Sequence, residues 1–290
     1  MQGHSDTVNE CAFSTDRRLL ATASCDDTVR LWDVNNRQCI ATLREHFHSV
    51  NSCKFSPDDT LVASASDDWF VRLWDVKSQC CIATLMGHTR AVSSCAFSTD
   101  GTVLGSSSDD NTIRLWHTKT FMNMATLQGP TTGVEGCDIS RNGILASAST
   151  STFSGNAILL WDMSTQQCIT MLSGHTEWCN KCCFTADGTL LASTSDDKTV
   201  CLWDMRTRAR IAQLKDSRNR GMQCSFSSDA AFVAAACTSD TVARVWDVKT
   251  FRCIANVLAC AFSANETIAA AGGRACGVES FAVKLWQWDP

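Results

Sequence analysis

Residues 45–85, EHFHSVNSCKFSPDDTLVASASDDWFVRLWDVKSQCCIATL, contain four short apolar segments separated by turn-forming residues. The segments lie at 50–56, 61–66, 70–76 and 81–85. Each has the length of a strand and is too short for a typical helix. Pro-Asp-Asp at 57–59 and Asp-Asp at 67–68 are residue types that close tight turns. This stretch therefore predicts one small antiparallel sheet of four strands.

The same organisation recurs along the chain, marked in each unit by one tryptophan. These tryptophans are spaced 40 to 45 residues apart: Trp32, Trp74, Trp116, Trp161, Trp203, Trp246 and Trp286. A repeat of this length with four strands is typical of a propeller blade. A single sheet cannot bury both of its faces, whereas sheets arranged radially cover one another. We therefore predict an all-β fold, a seven-bladed β-propeller of four-stranded antiparallel blades.

The whole chain, 1–290, is expected to be a single propeller domain. Its units are placed at about 3–43, 44–85, 86–127, 128–172, 173–214, 215–256 and 257–290. The link between the last two units is short, so the outer strand of the sixth blade is predicted to be short or irregular. Neither end of the chain supplies an obvious outer strand for the seventh blade, which is expected to be incomplete. Either the chain is a piece of a longer protein, which we favour, or the last blade has an open edge that pairs with another chain.

The composition is that of a folded globular protein, with 44% hydrophobic residues, 19% charged residues and three prolines. No apolar segment is long enough to span a membrane, and the first residues do not resemble a signal peptide. The net charge of -5 gives no general attraction to a phosphate backbone. We therefore expect protein or peptide partners, with no nucleic acid and no membrane.

Eighteen cysteines occur, and most recur at two positions of the repeat. One series is Cys11, Cys53, Cys95, Cys137, Cys182, Cys224 and Cys260, and the other is Cys39, Cys81, Cys168 and Cys253. Such periodic use predicts core filling by small apolar side chains. The neighbouring cysteines lack the spacing of zinc ligands, so no metal or other cofactor is expected. Many free thiols indicate a reducing compartment, the cytoplasm or the nucleus.

Two dipeptides recur at fixed places in the units. Gly-His begins three of them, at Gly3-His4, Gly87-His88 and Gly174-His175, and Glu45-His46 is a near match. Trp-Asp ends the third segment of five, at Trp32-Asp33, Trp74-Asp75, Trp161-Asp162, Trp203-Asp204 and Trp246-Asp247. With these residues the sequence resembles the WD-repeat family over essentially all of its length. Within that family it is similar to the C-terminal repeat regions of nucleotide-binding apoptotic and innate-immune switch proteins.

In the WD-repeat family a buried tetrad of hydrogen bonds joins a loop His, a second-strand Ser or Thr, a turn Asp and the third-strand Trp. The resemblance implies four complete tetrads: His4, Thr22, Asp26 and Trp32; His46, Ser64, Asp68 and Trp74; His88, Ser106, Asp110 and Trp116; and His175, Ser193, Asp197 and Trp203. Ser, His and Asp also form hydrolase triads. Four copies in four blades favour a structural role, and no nucleophile-elbow motif accompanies them. The protein is therefore not expected to be an enzyme, and no catalytic residue is assigned.

Some units depart from the tetrad pattern. Pro130 replaces the loop His of unit four, and its turn Asp is lost in a longer loop at 150–156. Ser217 replaces the His of unit six. A row of cations lies two residues before the blade tryptophans: Arg30, Arg72, Arg114, Arg244 and Lys284. Because this row follows the core pattern, we predict structural ion pairing or packing for it rather than anion binding.

The resemblance places the Gly-His loops and the tight turns around one end of the central channel, where relatives commonly bind peptides. The candidate partner-binding residues are Trp178, Trp69, Asp67, Asp109, Asp196, Asn180, Arg220 and Met222. Exposed aromatic side chains are enriched at interaction hot spots, although packing against a neighbouring loop is the alternative. The three aspartates suggest a basic ligand, but turn carboxylates are also commonly just solvated.

These observations predict a non-catalytic scaffold or sensor module that binds a protein or peptide on this face. The alternative is a substrate receptor of a ubiquitin ligase or a reader of histone tails, for which the acidic turns would supply a preference for basic peptides.

Overall fold

The computed structural model describes residues 1, 3–129, 133–149, 156–215, 222–237, 243–257, 261–262, 267–270 and 284–287. Every regular element in these residues is a β-strand. The alternation of short apolar runs with Asp-, Gly- and Asn-containing turns favours strands over helices throughout. The all-β class and the propeller of four-stranded antiparallel blades are confirmed.

Three four-stranded blades make up the first part of the chain. Blade 1 contains β1 (Val8–Phe13), β2 (Leu19–Ser24), β3 (Val29–Asp33) and β4 (Gln38–Leu43). Blade 2 contains β5 (Val50–Phe55), β6 (Leu61–Ser66), β7 (Val71–Asp75) and β8 (Cys80–Leu85). Blade 3 contains β9 (Val92–Phe97), β10 (Val103–Ser108), β11 (Thr112–His117) and β12 (Asn123–Gln128).

Three further four-stranded blades follow. Blade 4 contains β13 (Val134–Ile139), β14 (Ile144–Ser149), β15 (Ala157–Asp162) and β16 (Gln167–Ser173). Blade 5 contains β17 (Cys179–Phe184), β18 (Leu190–Ser195), β19 (Thr199–Asp204) and β20 (Ala209–Lys215). Blade 6 contains β21 (Met222–Phe226), β22 (Phe232–Cys237), β23 (Ala243–Asp247) and β24 (Cys253–Val257). As predicted for the sixth unit, β24 is shorter than the other outer strands, with five residues against six or seven.

The seventh unit is predicted to be an incomplete blade. Its described residues form a three-stranded sheet of β25 (Ala261–Phe262), β26 (Thr267–Ala270) and β27 (Lys284–Gln287). The described residues thus contain six four-stranded blades, which corrects the predicted count of seven blades. The tryptophan spacing overestimates the number of four-stranded blades. Each tryptophan marks the third strand of a unit and does not indicate whether a fourth strand pairs with it.

The strands of each blade are antiparallel and follow one another in chain order, so the two ends of the blades form two distinct faces. The loops that precede the first strand and the turns between the second and third strands lie on one face, which we call the upper face. The other two kinds of turn lie on the lower face. The first strands β1, β5, β9, β13, β17 and β21 lie side by side and line the central channel.

The core lies between the blades. Trp203 packs in one cluster with Ala146, Ile158 and Leu160 of blade 4, and Trp74 packs in the same way with Leu31 of blade 1. Each of these indoles therefore covers the face of the preceding blade. Burying so large a side chain gives the strongest apolar contribution per residue, which is why the repeat is most visible at its tryptophans.

The two cysteine series have different environments. Cys11, Cys53, Cys95, Cys137 and Cys182 of the first-strand series are buried, which confirms core filling for them. The prediction is wrong for the outer-strand series, because Cys39, Cys168 and Cys253 are exposed. The fourth strand is the edge of its sheet, where the wedge-shaped space between blades opens to solvent. The fifteen cysteines whose side chains the structure describes are free thiols.

Candidate functional site

Hydrogen-bonded tetrads tie the upper-face loops to the blades. In blade 1, His4 Nδ1 lies 2.8 Å from Asp26 Oδ2, and its Nε2 lies 2.7 Å from Thr22 Oγ1. The Trp32 indole donates to the same hydroxyl at 2.8 Å. The corresponding bonds join His46, Ser64, Asp68 and Trp74; His88, Ser106, Asp110 and Trp116; and His175, Ser193, Asp197 and Trp203.

The tetrad hydroxyls have a structural role. Thr22, Ser64, Ser106 and Ser193 are fully buried, and each bonds to an imidazole and to an indole N–H at once. A buried polar group without such partners would destabilise the fold. Each tetrad therefore fixes the position of one loop and one turn of the upper face relative to the strands below.

Blade 2 builds its tetrad differently. In blades 1, 3 and 5 a threonine two residues after the turn Asp bonds to it, as Thr28 does to Asp26 at 2.6 Å. Phe70 occupies this place in blade 2, and the Arg72 guanidinium replaces the missing hydroxyl. Its Nη1 lies 2.6 Å from both Asp68 Oδ2 and His46 Nδ1. Because Arg72 is buried in this ion pair, the structural prediction for it is confirmed.

This difference leads to a testable pH prediction. Burial lowers the pKa of His46, and the neighbouring Arg72 guanidinium acts in the same direction, against Asp68. Burial alone would also lower the pKa of His175. The bonds to Asp197 and Cys201 outweigh burial and raise the pKa of His175 to about 9. We expect NMR of the imidazole nitrogens at pH 7.5 to show a neutral His46 ring and a protonated His175 ring.

The same shifts set opposite contributions to stability. The pKa of His175 is raised on folding, so its contribution is present below the ordinary value of 6.5 and is lost as the pH rises through about 9. The pKa of His46 is lowered, so its protonation destabilises the fold as the pH falls below 6.5. Two imidazoles that titrate together near 6.5 would contradict the role given to Arg72.

Blade 4 keeps part of the tetrad pattern in the described residues. Trp161 of blade 4 still donates to Ser147 Oγ at 2.9 Å. Pro130 and residues 150–155 lie outside the described residues, as do Ser217 of unit six and residues 271–283 of unit seven.

The mouth of the central channel on the upper face holds a cavity of about 290 Å³. Its lining is mostly polar: Asn9, Asn51, Asp67, Ala91, Ser93, Asp109, Glu135, Lys181 and Gln223. We call this the channel mouth. First-strand residues hold the turn aspartates in place, since Asn51 donates to Asp67 at 2.6 Å and Ser93 donates to Asp109 at 3.4 Å.

Among the residues that line the channel mouth, three are acidic and one, Lys181, is basic. Burial raises the pKa of Asp109, and the nearby Asp67 carboxylate raises it further. Burial likewise raises the pKa of Glu135, with added repulsion from Asp109 and Asp196, although Lys181 opposes this. Carboxyl groups with raised pKa values in a cavity indicate a functional site. A cation placed among them would relieve the repulsion.

Lower in the channel, charges are paired. Lys54 Nζ lies 2.8 Å from Glu10 Oε1. Burial alone would lower the pKa of Lys54, but the Glu10 carboxylate raises it above the usual lysine value. Lys181 of blade 5 passes beside Gly136 of blade 4 and donates to the Ser93 carbonyl of blade 3 at 3.0 Å. The Lys54 contact joins the consecutive blades 1 and 2, and the Lys181 hydrogen bond joins the non-consecutive blades 3 and 5.

The predicted partner-binding residues divide into three groups. Asp67 and Asp109 line the channel mouth, and Asn180 donates to Asp196 Oδ1 at 2.9 Å beside it. Trp69 and Trp178 lie on the upper face with 51% and 49% of their surface exposed. Arg220 lies outside the described residues, and Met222 is described only as the first residue of β21.

Sequence reasoning missed four residues of this face. Phe47 and Met86 are exposed there, and Lys181 and Gln223 line the cavity. Alignment of the units would have found Phe47 and Met86, because polar residues occupy their places in the other tetrad-containing blades. Lys181 lacks such a signal, since its contact spans 88 residues of sequence.

No three His, Cys, Asp or Glu side chains lie close enough to hold a metal ion in the described ranges. The same ranges contain no helix of the length and hydropathy needed to cross a bilayer.

Known sequences share the repeat. The family described as "WD domain, G-beta repeat" matches residues 1–33, 37–75, 79–117 and 166–204, which together exceed half of the chain.

Individual relatives match over shorter regions. A protein of Aspergillus terreus named probable E3 ubiquitin ligase complex SCF subunit sconB is 46% identical over 46 residues, 16% of this chain and 7% of the relative. Human WD repeat-containing protein 18 is 48% identical over 42 residues, 14% of this chain and 10% of the relative. Mitochondrial division protein 1 of Neurospora crassa is 39% identical over 46 residues, 16% and 7% of the two chains. Each match therefore spans a tenth or less of the relative.

Proposed function

Because this chain belongs to the WD40 family, the WD domain, G-beta repeat proteins, we propose that it is a non-catalytic protein-interaction module whose ligand binds at the channel mouth. The upper-face loops support this proposal, since four tetrads hold them rigidly in place. A rigid site loses less entropy when it binds a ligand. The observation that carries the proposal is the cavity lined by Asp67, Asp109 and Glu135.

The chemistry of this cavity favours a basic side chain from a protein or peptide. Its volume of about 290 Å³ is near the lower limit of small-molecule sites, about 300 Å³, so it suits one side chain better than a whole cofactor. The pKa values of Asp109 and Glu135 are raised because burial and the repulsion between carboxylates outweigh the attraction of neighbouring cations such as Lys181. An arginine or lysine side chain would supply a counter-charge and could donate to the carboxylates.

Removal of these charges is expected to weaken binding without weakening the fold. Selection of a displayed library of random peptides on the whole chain should enrich lysine and arginine. For a selected peptide, we expect Asp109→Asn with Glu135→Gln to raise the Kd at least tenfold, about 1.4 kcal/mol, as measured by fluorescence anisotropy. Both carboxyl groups have raised pKa values, so their ionisation opposes folding at pH 7. The double variant should therefore melt at the same or a higher temperature.

Asp33→Asn is the matched control for charge. Asp33 lies in the β3–β4 turn on the lower face and accepts a bond from the Asn36 backbone, which an asparagine oxygen can also accept. Its Kd should stay within twofold of the wild-type value. Unchanged binding in the double variant, or equal weakening in Asp33→Asn, would exclude the channel mouth as the binding site.

A role as substrate receptor of a ubiquitin ligase, or as a reader of basic histone tails, is the second candidate. The acidic channel mouth favours it, and relatives named as subunits of an SCF ligase complex share one short region with this chain. Co-purification of the chain with SCF ligase subunits would support the receptor role, whereas binding of basic peptides without them would favour a scaffold.

We also propose that the three-stranded sheet closes the ring as a seventh blade. Its first strand, β25, lies next to both β21 of blade 6 and β1 of blade 1. Cysteine crosslinking between the β25 and β1 segments tests this arrangement, since an open ring would leave them too far apart to link.

A further inference from the structure

Blade 2 differs from the other tetrad-containing blades at four positions of its upper face. The residue after the loop His is Phe47 in blade 2, but Ser5, Thr89 and Thr176 elsewhere. The residue after the turn Asp is Trp69, but Asp27, Asn111 and Lys198 elsewhere. Next to it stands Phe70 in place of Thr28, Thr112 and Thr199. The residue after the last leucine of the outer strand is Met86, but Arg44, Gln128 and Lys215 elsewhere.

The repeat thus provides its own comparison, because sister blades show what the fold requires at each position. All four changes replace polar residues with apolar ones, in a single blade and on a single face. Phe47, Trp69 and Met86 are 71%, 51% and 67% exposed, so they contribute little to the core. We call these three residues the blade-2 apolar surface.

The backbone at Trp69 also argues against a purely structural role. Its φ is 74°, in the left-handed region, and Asp27, Asn111 and Lys198 have the same sign of φ in the sister turns. Asn and Asp tolerate this conformation, whereas a bulky aromatic residue there is an outlier. The turn would form more readily with an asparagine, as in blade 3.

The exposed isoleucines of the outer strands follow the repeat and do not form such a surface. Ile40, Ile82, Ile211 and Ile254 are each 41–44% exposed at equivalent places on the outer strands. These isoleucines recur at equivalent positions of several blades, whereas the residues of the blade-2 apolar surface stand where the other tetrad-containing blades have polar residues.

The surface is held in a fixed arrangement. The Phe47 N–H donates to Asp68 Oδ2 at 3.2 Å, which ties it to the turn that carries Trp69. The Arg72 guanidinium lies 5.6 Å from the centre of the Phe47 ring and 5.4 Å from that of Phe70, within cation–π range. Met86 follows Leu85, which pairs with Val71, so it extends beyond that strand pair next to Phe70. Preorganised aromatic side chains of this kind are typical of binding hot spots.

The blade-2 apolar surface is continuous with the channel mouth. Asp67 lines the cavity and accepts a bond from Asn51, and it stands two residues before Trp69 in the same turn. A segment that places a cation beside Asp67 would therefore have its next residues over Trp69 and Phe47. Charge complementarity fixes one end of the ligand, and apolar contact fixes the other.

We propose that the ligand is an extended peptide segment of a partner protein, with a basic side chain in the channel mouth and one or two large apolar side chains, close in sequence, on the blade-2 apolar surface. This inference rests on the proposed function and specifies the second determinant of recognition. Association of the apolar side chains with Trp69 removes exposed aromatic surface from water, which stabilises the complex.

The test uses the triple variant Phe47→Thr, Trp69→Asn and Met86→Gln, which gives blade 2 the residues of blade 3. Blades 1, 3 and 5 fold with residues of these types, so the thermal midpoint should not fall. The probe is a peptide selected from a displayed random library on the whole wild-type chain. We expect selected peptides to combine a basic residue with a nearby aromatic or large aliphatic one, and the triple variant to raise their Kd at least tenfold.

A double-mutant cycle then assigns the contact. With the apolar residue of the peptide changed to serine, the triple variant should have less than a twofold effect, whereas Asp109→Asn with Glu135→Gln should still weaken binding. Met122→Gln and Met171→Gln remove exposed methionines elsewhere and should leave the Kd unchanged.

The possible failures are distinguishable. Selected peptides that are basic but show no apolar preference, or an unchanged Kd in the triple variant, would overturn the second determinant and leave the proposed function standing. Recovery of no binding peptide, or of peptides that bind independently of Asp109 and Glu135, would overturn both.

Discussion

Asp68→Ala is expected to lower the free energy of unfolding by about 3–5 kcal/mol, the usual cost of leaving a buried charge without its partner. Asp68 accepts bonds from Arg72 at 2.6 Å and from His46 at 2.8 Å, and the side chains of all three are at least 95% buried. With the carboxylate gone, the Arg72 guanidinium would remain beneath Phe47 and Phe70 with its charge uncompensated. Urea denaturation followed by tryptophan fluorescence measures the loss.

Asp26→Ala in blade 1 is the matched comparison, because it removes the same tetrad member where no arginine contacts it. Its expected cost is about 1–3 kcal/mol, that of a buried donor left unpaired. Adding Arg72→Met to Asp68→Ala should recover part of the larger loss, since the orphaned cation is then absent. Equal losses in the two single variants would show that the Arg72 contact contributes nothing.

Trp203→Ala is the second change expected to have a large effect, also about 3–5 kcal/mol, the range for removal of a fully buried large side chain. The indole is 2% exposed and packs against Ala146, Ile158 and Leu160 of the preceding blade. The substitution therefore opens a cavity between two blades and also removes the donor to Ser193. Thermal and urea unfolding should both register it.

Trp178→Ala provides a control of the same residue type in the same blade. Trp178 is 49% exposed on the upper face, so its removal should change the free energy of unfolding by less than about 0.5 kcal/mol. Trp203→Phe separates packing from hydrogen bonding, because it keeps an aromatic ring and loses only the indole N–H. A Trp203→Ala variant as stable as Trp178→Ala would contradict the account of the core between blades.

Much of the fold follows from local sequence patterns. Strand positions follow from short apolar runs, and the tetrads follow from fixed spacing, since His and Asp are 22 residues apart in all four sets. Such patterns are informative because each blade is built from consecutive residues. The predicted count of seven blades is wrong, because the tryptophan period marks only the third strand of each unit. The described residues of the last unit supply three strands instead of four.

The candidate site was only partly predictable. Asp67 and Asp109 come from the repeat position before the turn Asp, and both line the channel mouth. Lys181 could not be assigned, because its bond to Ser93 joins blades 3 and 5, which lie far apart in the sequence. In the blade-2 tetrad the Arg72 guanidinium bonds to Asp68, where the other tetrad-containing blades use a threonine hydroxyl. The sequence repeat does not predict this bond, because it depends on side-chain packing around Phe70.

The position of Lys181 sets a limit on stoichiometry at the channel mouth. Its side chain passes beside Gly136 of blade 4, and its amine donates to the Ser93 carbonyl of blade 3, so it adds one positive charge to the lining of the cavity. On the proposed function, a basic side chain in the cavity would be attracted by Asp67, Asp109 and Glu135 and repelled by the Lys181 amine. We therefore expect the cavity to hold one basic side chain, so that consecutive basic residues of a peptide would compete for it.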